Sequence, residues 1–239
     1  MMPIRTILDE LRPAEGVYAS EVDSPQRLPV LTFLPTGYEP GYPYPLLVFL
    51  HGRGSSERQI VRLAPRVSRR NYISIALRGP ERMPRFDDGR VGYGWGEDGN
   101  ADALAEEYIF NAIVQACETF HINEERVFLA GFCEGAAMAY RLGLSFPDKF
   151  AGVIALNGHM PAAGPLFRYP EIRNLRVFIG HGIANSAVPL SVAKKDFRLL
   201  YTAGMPVEMK TYPTNSRIHL DMLKDMNRWV MDAMPNAAR

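Results

Sequence analysis

VFLAGFCEGAAM, residues 127–138, is the stretch from which the rest of the chain can be read. Val127, Phe128 and Leu129 are an apolar run of strand type, and residues 134–142 are rich in Ala and suit a helix. Between them stands Gly131-Phe132-Cys133-Glu134-Gly135, the strand–turn–helix pattern G-x-S-x-G with Cys in the Ser slot. The middle residue of such a turn is held in a strained backbone conformation. Small residues two before and two after it let strand and helix crowd together, which pushes the middle side chain out above the sheet. A thiol in that place is expected to be exposed, and the partial positive charge of a helix N-terminus favours its thiolate. The competing reading is that Cys133 is simply a buried cysteine and the glycines serve packing alone.

Upstream of the turn, residues 46–50 are a continuous apolar run, as expected of a central strand buried on both faces, and end in His51-Gly52-Arg53-Gly54. Earlier still, Gly16–Val22 and Leu28–Leu34 alternate apolar and polar residues around Asp23-Ser24-Pro25, which predicts an antiparallel hairpin at the N-terminal edge. Residues 1–15 read as a short helix or arm. Ser55-Ser56-Glu57 reads as a helix start, followed by a mixed basic helix over 59–69 and a strand over 72–77. Residues 81–100 read as a long polar loop, carrying Tyr93 and Trp95, of the kind that shapes a site. Residues 101–120 form a helix whose apolar face holds Tyr108, Ala112, Ala116 and Cys117, so Cys117 is expected in the core.

Downstream of the turn, strands are expected at 151–156, 176–180 and 207–212, helices at 191–201 and 220–234, and a Pro-containing loop at 160–173. Strands alternating with helices from residue 46 onward predict an α/β fold with a mostly parallel central sheet and helices on both faces. Ligands of such sheets sit at the C-terminal ends of the strands, where the His-Gly motif, the Cys133 turn and the later loops all lie.

The 239 residues are 47% hydrophobic and read as a single domain over 1–239 with a substantial core. Net charge is +1 without a block of like charge, which argues against nucleic acid or an anionic membrane surface as the main partner. Two cysteines do not make a disulfide framework, and MMPIRTILDELRPAEG has no apolar signal core, so a cytoplasmic location is expected. No segment approaches transmembrane length, so stable membrane insertion is not expected. The sequence has no metal-ligand cluster, no G-x-G-x-x-G and no phosphate loop, so neither metal nor cofactor is implied. The oligomeric state stays open.

Through His51-Gly52-Arg53-Gly54, the Cys133 turn, His181-Gly182 with Val188-Pro189, and the last strand and helix, the chain resembles the α/β-hydrolase superfamily. Within it the likeness is to the small carboxylesterase/phospholipase and acyl-protein thioesterase group, and the Cys in the turn is similar to that of dienelactone hydrolases. The resemblance runs from about residue 46 to the C-terminus. It implies a cofactor-independent hydrolase of a small ester or thioester. It also implies an oxyanion hole built from the backbone N–H groups of Arg53 and Glu134, where one such donor is worth about 3–4 kcal/mol.

The chain departs from that family in two places. Asn185 stands where the family has Asp. An Asn accepts an imidazole N–H but cannot stabilise an imidazolium by charge, and Asp→Asn costs roughly 10⁴ in turnover in a Ser–His–Asp enzyme. A Cys nucleophile tolerates the change better, because a thiol ionises far more easily than a hydroxyl. The second departure is the base. The family's His place, counted back from Asp225, falls on Ser216, whereas the loop's own imidazole is His219. His219 reaches Cys133 only if the loop is shortened or reshaped. Trp95, Tyr93, His159 and Met160 are either walls of an apolar acyl pocket or ordinary core residues. His51 and His181 are expected to bond backbone.

Two functional readings follow. In one, Cys133 is the nucleophile, His219 the base and Asn185 its orienting partner. In the other, a hydrolase-fold protein without efficient catalysis serves as a binding or scaffold protein.

Overall fold

The computed structural model describes residues 13–22, 26–84, 91–96, 99–161 and 170–232. In chain order the strands are β1 (Gly16–Val22), β2 (Leu28–Leu34), β3 (Tyr44–Leu50), β4 (Ile73–Leu77), β5 (Glu81–Pro84), β6 (Val91–Gly94), β7 (Ile122–Phe132), β8 (Gly152–Leu156), β9 (Arg176–Gly182) and β10 (Val207–Tyr212). The long helices are α1 (Gly99–Thr119), α2 (Glu134–Ser145), α3 (Leu190–Thr202) and α4 (Leu220–Asp232). Eight strands share one sheet in the order β1-β2-β4-β3-β7-β8-β9-β10, and β5 and β6 pair separately. The chain divides into two compact units, residues 1–49 with 54–127, and residues 50–53 with 128–239.

In the first unit, β1 and β2 form the expected antiparallel hairpin, with Gly16 opposite Leu34 and Val22 opposite Leu28. Its turn, Asp23-Ser24-Pro25, and residues 1–12 lie outside the described residues. β4 runs antiparallel to β2. Every residue of β3 and β4 is buried, which is why residues 46–50 read as an unbroken apolar run rather than an alternating one.

Two sequence expectations fail in this unit. The helix expected over 59–69 is broken into Glu57–Ile60, a 3₁₀ turn Val61–Leu63 and Ala64–Val67. Pro65, with no N–H to donate, is tolerated only in a first turn, so a new helical piece starts around it. The long loop over 81–100 contains the β5–β6 hairpin, although residues 85–90 and 97–98 lie outside the described residues. Tyr93 bonds back to Gly54 and Ser55 through its backbone, both at 2.9 Å. Gly92 permits that approach, since a Cβ there would lie 2.3 Å from the Gly54 carbonyl oxygen. Glu57 is a buried carboxylate answered by Arg78, whose guanidinium donates to it at 2.7 and 2.5 Å and lies 4.5 Å over the Tyr93 ring. A buried charge is held in this way or not at all.

In the second unit, β7, β8, β9 and β10 run parallel. Phe132 pairs with Leu156, Leu156 with Gly180, and Gly182 with Tyr212, so the loops that follow these strands open at one edge. On the covered side, the Trp229 ring of α4 packs 6.1 Å from that of Phe128 and 5.9 Å from that of Phe178. Among the described residues, no helix is long and apolar enough to cross a membrane, and no group of His, Cys, Asp and Glu is set to hold a metal.

Candidate active site

Cys133 sits between the last residue of β7 and the first of α2, with φ 54 and ψ −113. Positive φ is rare for a non-glycine residue and marks the strained strand-to-helix turn that the G-x-C-x-G spacing predicts. The steric logic is explicit in the glycines. A Cβ on Gly131 would lie 2.1 Å from the Gly135 carbonyl oxygen, and one on Gly135 would lie 2.2 Å from that of Leu50. Gly52 is pressed against the turn, since its Cβ would be 3.2 Å from that of Cys133. That contact brings the Arg53 backbone to the thiol. The N–H groups of Glu134 and Arg53 both reach the sulfur, one from the start of α2 and one from the end of the β3 turn.

The expected enrichment in thiolate is not found. Cys133 is half-buried, and burial pushes its thiol above the usual range, against the downward pull of the Glu134 and Arg53 N–H groups. Desolvation outweighs the helix end here, because two neutral donors do not replace the hydration of a thiolate. Cys117 is likewise half-buried, and burial together with the carboxylates of Glu124 and Glu118 pushes it up to about 11.

The loops beside the turn are knotted together by Asn157, the residue after β8. Its own backbone is left-handed, at φ 53. Its N–H donates to Gly180 at 2.8 Å, its Oδ1 accepts from the Gly182 N–H at 2.8 Å, and its Nδ2 donates to the Arg217 carbonyl at 2.9 Å. Gly158, next in the chain, lies against the Cys133 carbonyl, and Cys133 donates its N–H to Leu156 at 3.0 Å. Asn185 joins the same network. Its Oδ1 accepts the N–H groups of Ala187 and Val188, both at 3.1 Å, and its Nδ2 points at the Asn157 carbonyl at 3.4 Å. The two N–H donors fix which end of the amide is oxygen. Asn185 therefore turns an N–H toward the Asn157 carbonyl where a carboxylate would present its second oxygen. In this arrangement the amide oxygen accepts from its own loop.

A profile of the phospholipase/carboxylesterase family matches residues 41–232. The chain belongs to that family. An uncharacterized hydrolase of Schizosaccharomyces pombe is 26% identical over 140 residues, covering 52% of this chain and 57% of its own, so the chain spans little more than half of that relative. Acyl-protein thioesterase 1 of Neurospora crassa is 26% identical over 189 residues, 70% of this chain and 77% of the relative. A carboxylesterase from Mesorhizobium loti superposes with a TM-score of 0.70 at 20% identity, over 85% of this chain and 94% of that one. Acyl-protein thioesterase 2 of Zea mays does so with a TM-score of 0.69 at 18% identity, over 85% and 98%. These two likenesses show the α/β-hydrolase fold.

The loop after β10 packs on the neighbouring strand end. Thr214 accepts the Ala184 N–H at 3.0 Å, and a Cβ on Gly182 would lie 2.2 Å from the Asn215 carbonyl, so the loop lies directly on the end of β9. Ser216 is exposed. His219 sits just ahead of α4. Its Nδ1 accepts the Asp221 N–H at 3.2 Å, and its ring stacks on Tyr212 with centroids 6.2 Å apart. The Glu134 and Arg53 N–H groups act on the Cys133 thiol.

Of the candidate pocket residues, Trp95 is 1% exposed and Met160 7%, so both are core material with little surface to show an acyl chain. The Met160 N–H donates to the buried Asp196 at 2.9 Å. Tyr93 is half-buried under Arg78, and His159 is exposed at the end of β8. His51 and His181 bond backbone as expected, to Gly52 and Val188, each at 2.8 Å. Sequence reading passed over Asn157 as a functional residue. Its signal was present: Asn, the residue type most tolerant of a left-handed backbone after Gly, directly before Gly158 at a strand end.

Proposed function

We propose that the protein is a cysteine-dependent hydrolase of small carboxylic esters or thioesters, with Cys133 as the acyl acceptor. The observation that carries this reading is Cys133 at φ 54 with the N–H groups of Arg53 and Glu134 on its sulfur. The thiolate attacks the acyl carbonyl carbon, and the carbonyl electron pair moves onto oxygen. The two backbone donors, fixed before the substrate arrives, receive that oxyanion without reorganisation. Collapse breaks the bond to the alcohol or thiol, which leaves with the proton lost by Cys133, and a thioester remains on the sulfur. Water then hydrolyses the thioester to acid and free thiol. His219 serves as the base once the loop over 213–219 releases it from the Asp221 N–H.

A second reading is favoured by one observation, the neutral Asn185 amide held between the Ala187 and Val188 N–H groups and the Asn157 carbonyl. An imidazolium next to that group gains no charge stabilisation, so deacylation is slow and the protein holds an acyl group or a partner rather than turning it over. Intact-mass spectrometry alongside turnover with a p-nitrophenyl ester separates the two. Many turnovers, lost in Cys133→Ala and slowed in His219→Ala, support hydrolysis. One acyl group retained per chain, with release of a single equivalent of nitrophenol, supports the second reading. No adduct and no turnover with any activated ester or thioester would remove Cys133 from both.

A further inference from the structure

The first unit contains a half-enclosed cavity of about 230 Å³ between the β1–β2 hairpin, β4 and helix α1. Its cause is visible in the residue types. Successive inward positions of β2, Val30, Thr32 and Leu34, form one wall, and α1 faces them with Ala112 and Ala116, one turn apart. Both alanines are buried, so the void is what two missing side chains leave behind. Tyr18 of β1 and Phe120 at the end of α1 stand at its borders.

Among the described residues, the lining contains no Asp, Glu, Lys, Arg or His. Its larger polar groups are already engaged: the Tyr18 hydroxyl donates to Ala14 at 2.7 Å, the Gln115 Nε2 to Glu21 at 3.1 Å, and the Thr119 hydroxyl to Gln115 at 2.7 Å. A charged ligand would lose its hydration there with no counter-charge to replace it. An apolar cavity of about 150 Å³ is enough for benzene. From size, shape and absence of charge, we propose that this cavity is a binding pocket for an uncharged apolar molecule with the bulk of two fused aromatic rings or a medium alkyl chain. It uses first-unit residues alone and stands whether or not Cys133 turns over esters.

The test titrates the full chain with N-phenyl-1-naphthylamine, an uncharged probe that brightens in apolar surroundings. Saturable one-to-one binding is expected, with the anionic probe 8-anilinonaphthalene-1-sulfonate at least about tenfold weaker. Ala116→Leu and Ala112→Ile each fill the void and are expected to abolish the enhancement while the circular dichroism spectrum stays native. In the wild-type chain, methyl resonances of Val30, Leu34 and Ile75 are expected to shift on titration with 1-octanol, a readout independent of any variant. The proposal is overturned if the wild type does not bind the probe, if both folded variants bind it as before, or if the methyl groups do not respond. It is equally overturned if the probe protects Cys133 from alkylation, because the ligand then sits in the acyl site.

Discussion

The Cys133 turn and the loops after β9 and β10 lie at the same end of the second unit's strands, but they are made of different material. The turn is a backbone device: two glycines that admit no Cβ, one residue at positive φ, and two main-chain N–H groups. The loops depend on side chains, among them Asn185, Ser216 and His219. Side-chain identity can change one residue at a time while the surrounding hydrogen bonds persist. A backbone device cannot change that way, because altering any part moves the strand and helix that form it. Such a turn can therefore persist while the side chains around it differ.

The sharpest way to break the first half of this comparison takes one methyl group. In Gly131→Ala, the new Cβ meets main chain on α2 that cannot swing aside, so a loss of about 3–5 kcal/mol, or failure to fold, is expected in urea unfolding. Gly41→Ala, whose Cβ meets nothing within 4 Å, is the control and should stay within about 0.5 kcal/mol of wild type. If Gly131→Ala unfolds like the control, the turn is not held by contact.

The second half can be sharpened by restoring what the loops lack. Asn185→Asp alone sets an oxygen against the Asn157 carbonyl and should destabilise the fold by about 1–2 kcal/mol. Combined with Ser216→His, that oxygen gains an imidazole N–H to accept. The double variant should then hydrolyse p-nitrophenyl esters about 10²–10⁴ times faster than either single one. Equal rates in all three would mean that residue 216 does not face the thiol.

The smallest effect expected is on alkylation. Because burial raises both thiols, each has less thiolate at a given pH than a free cysteine, and its iodoacetamide rate climbs later as pH rises. Cys117, pushed up to about 11, should lag Cys133, which has two N–H groups opposing the rise. His219→Ala should change the Cys133 rate by less than about twofold near neutral pH, since that imidazole is held by Asp221. A larger drop would put His219 on the thiol after all.

What could be read from the sequence follows the same division. Gly131 and Gly135 announce the turn because their constraint is steric and local, and the apolar run of β3 announces burial on both faces. The β1–β2 hairpin is likewise written in alternation. The direction of the Cys133 shift was not readable, since it depends on how far the folded chain covers the sulfur. Nor was the job of Asn185, which depends on where Ala187, Val188 and Asn157 place their main-chain groups. The break at Pro65 and the β5–β6 pairing around Gly92 had local signals that periodicity alone overlooked.

One consequence of Asn157 concerns motion. Its side chain grips the Gly182 N–H with one end and the Arg217 carbonyl with the other, while its carbonyl faces Asn185. The loops after β9 and β10 are thereby geared to each other, so a swing of the segment carrying Ser216 and His219 pulls on the strand end that carries Asn185. Any opening that frees His219 toward the thiol works against this shared latch, and the two loops yield as a pair or stay shut as a pair.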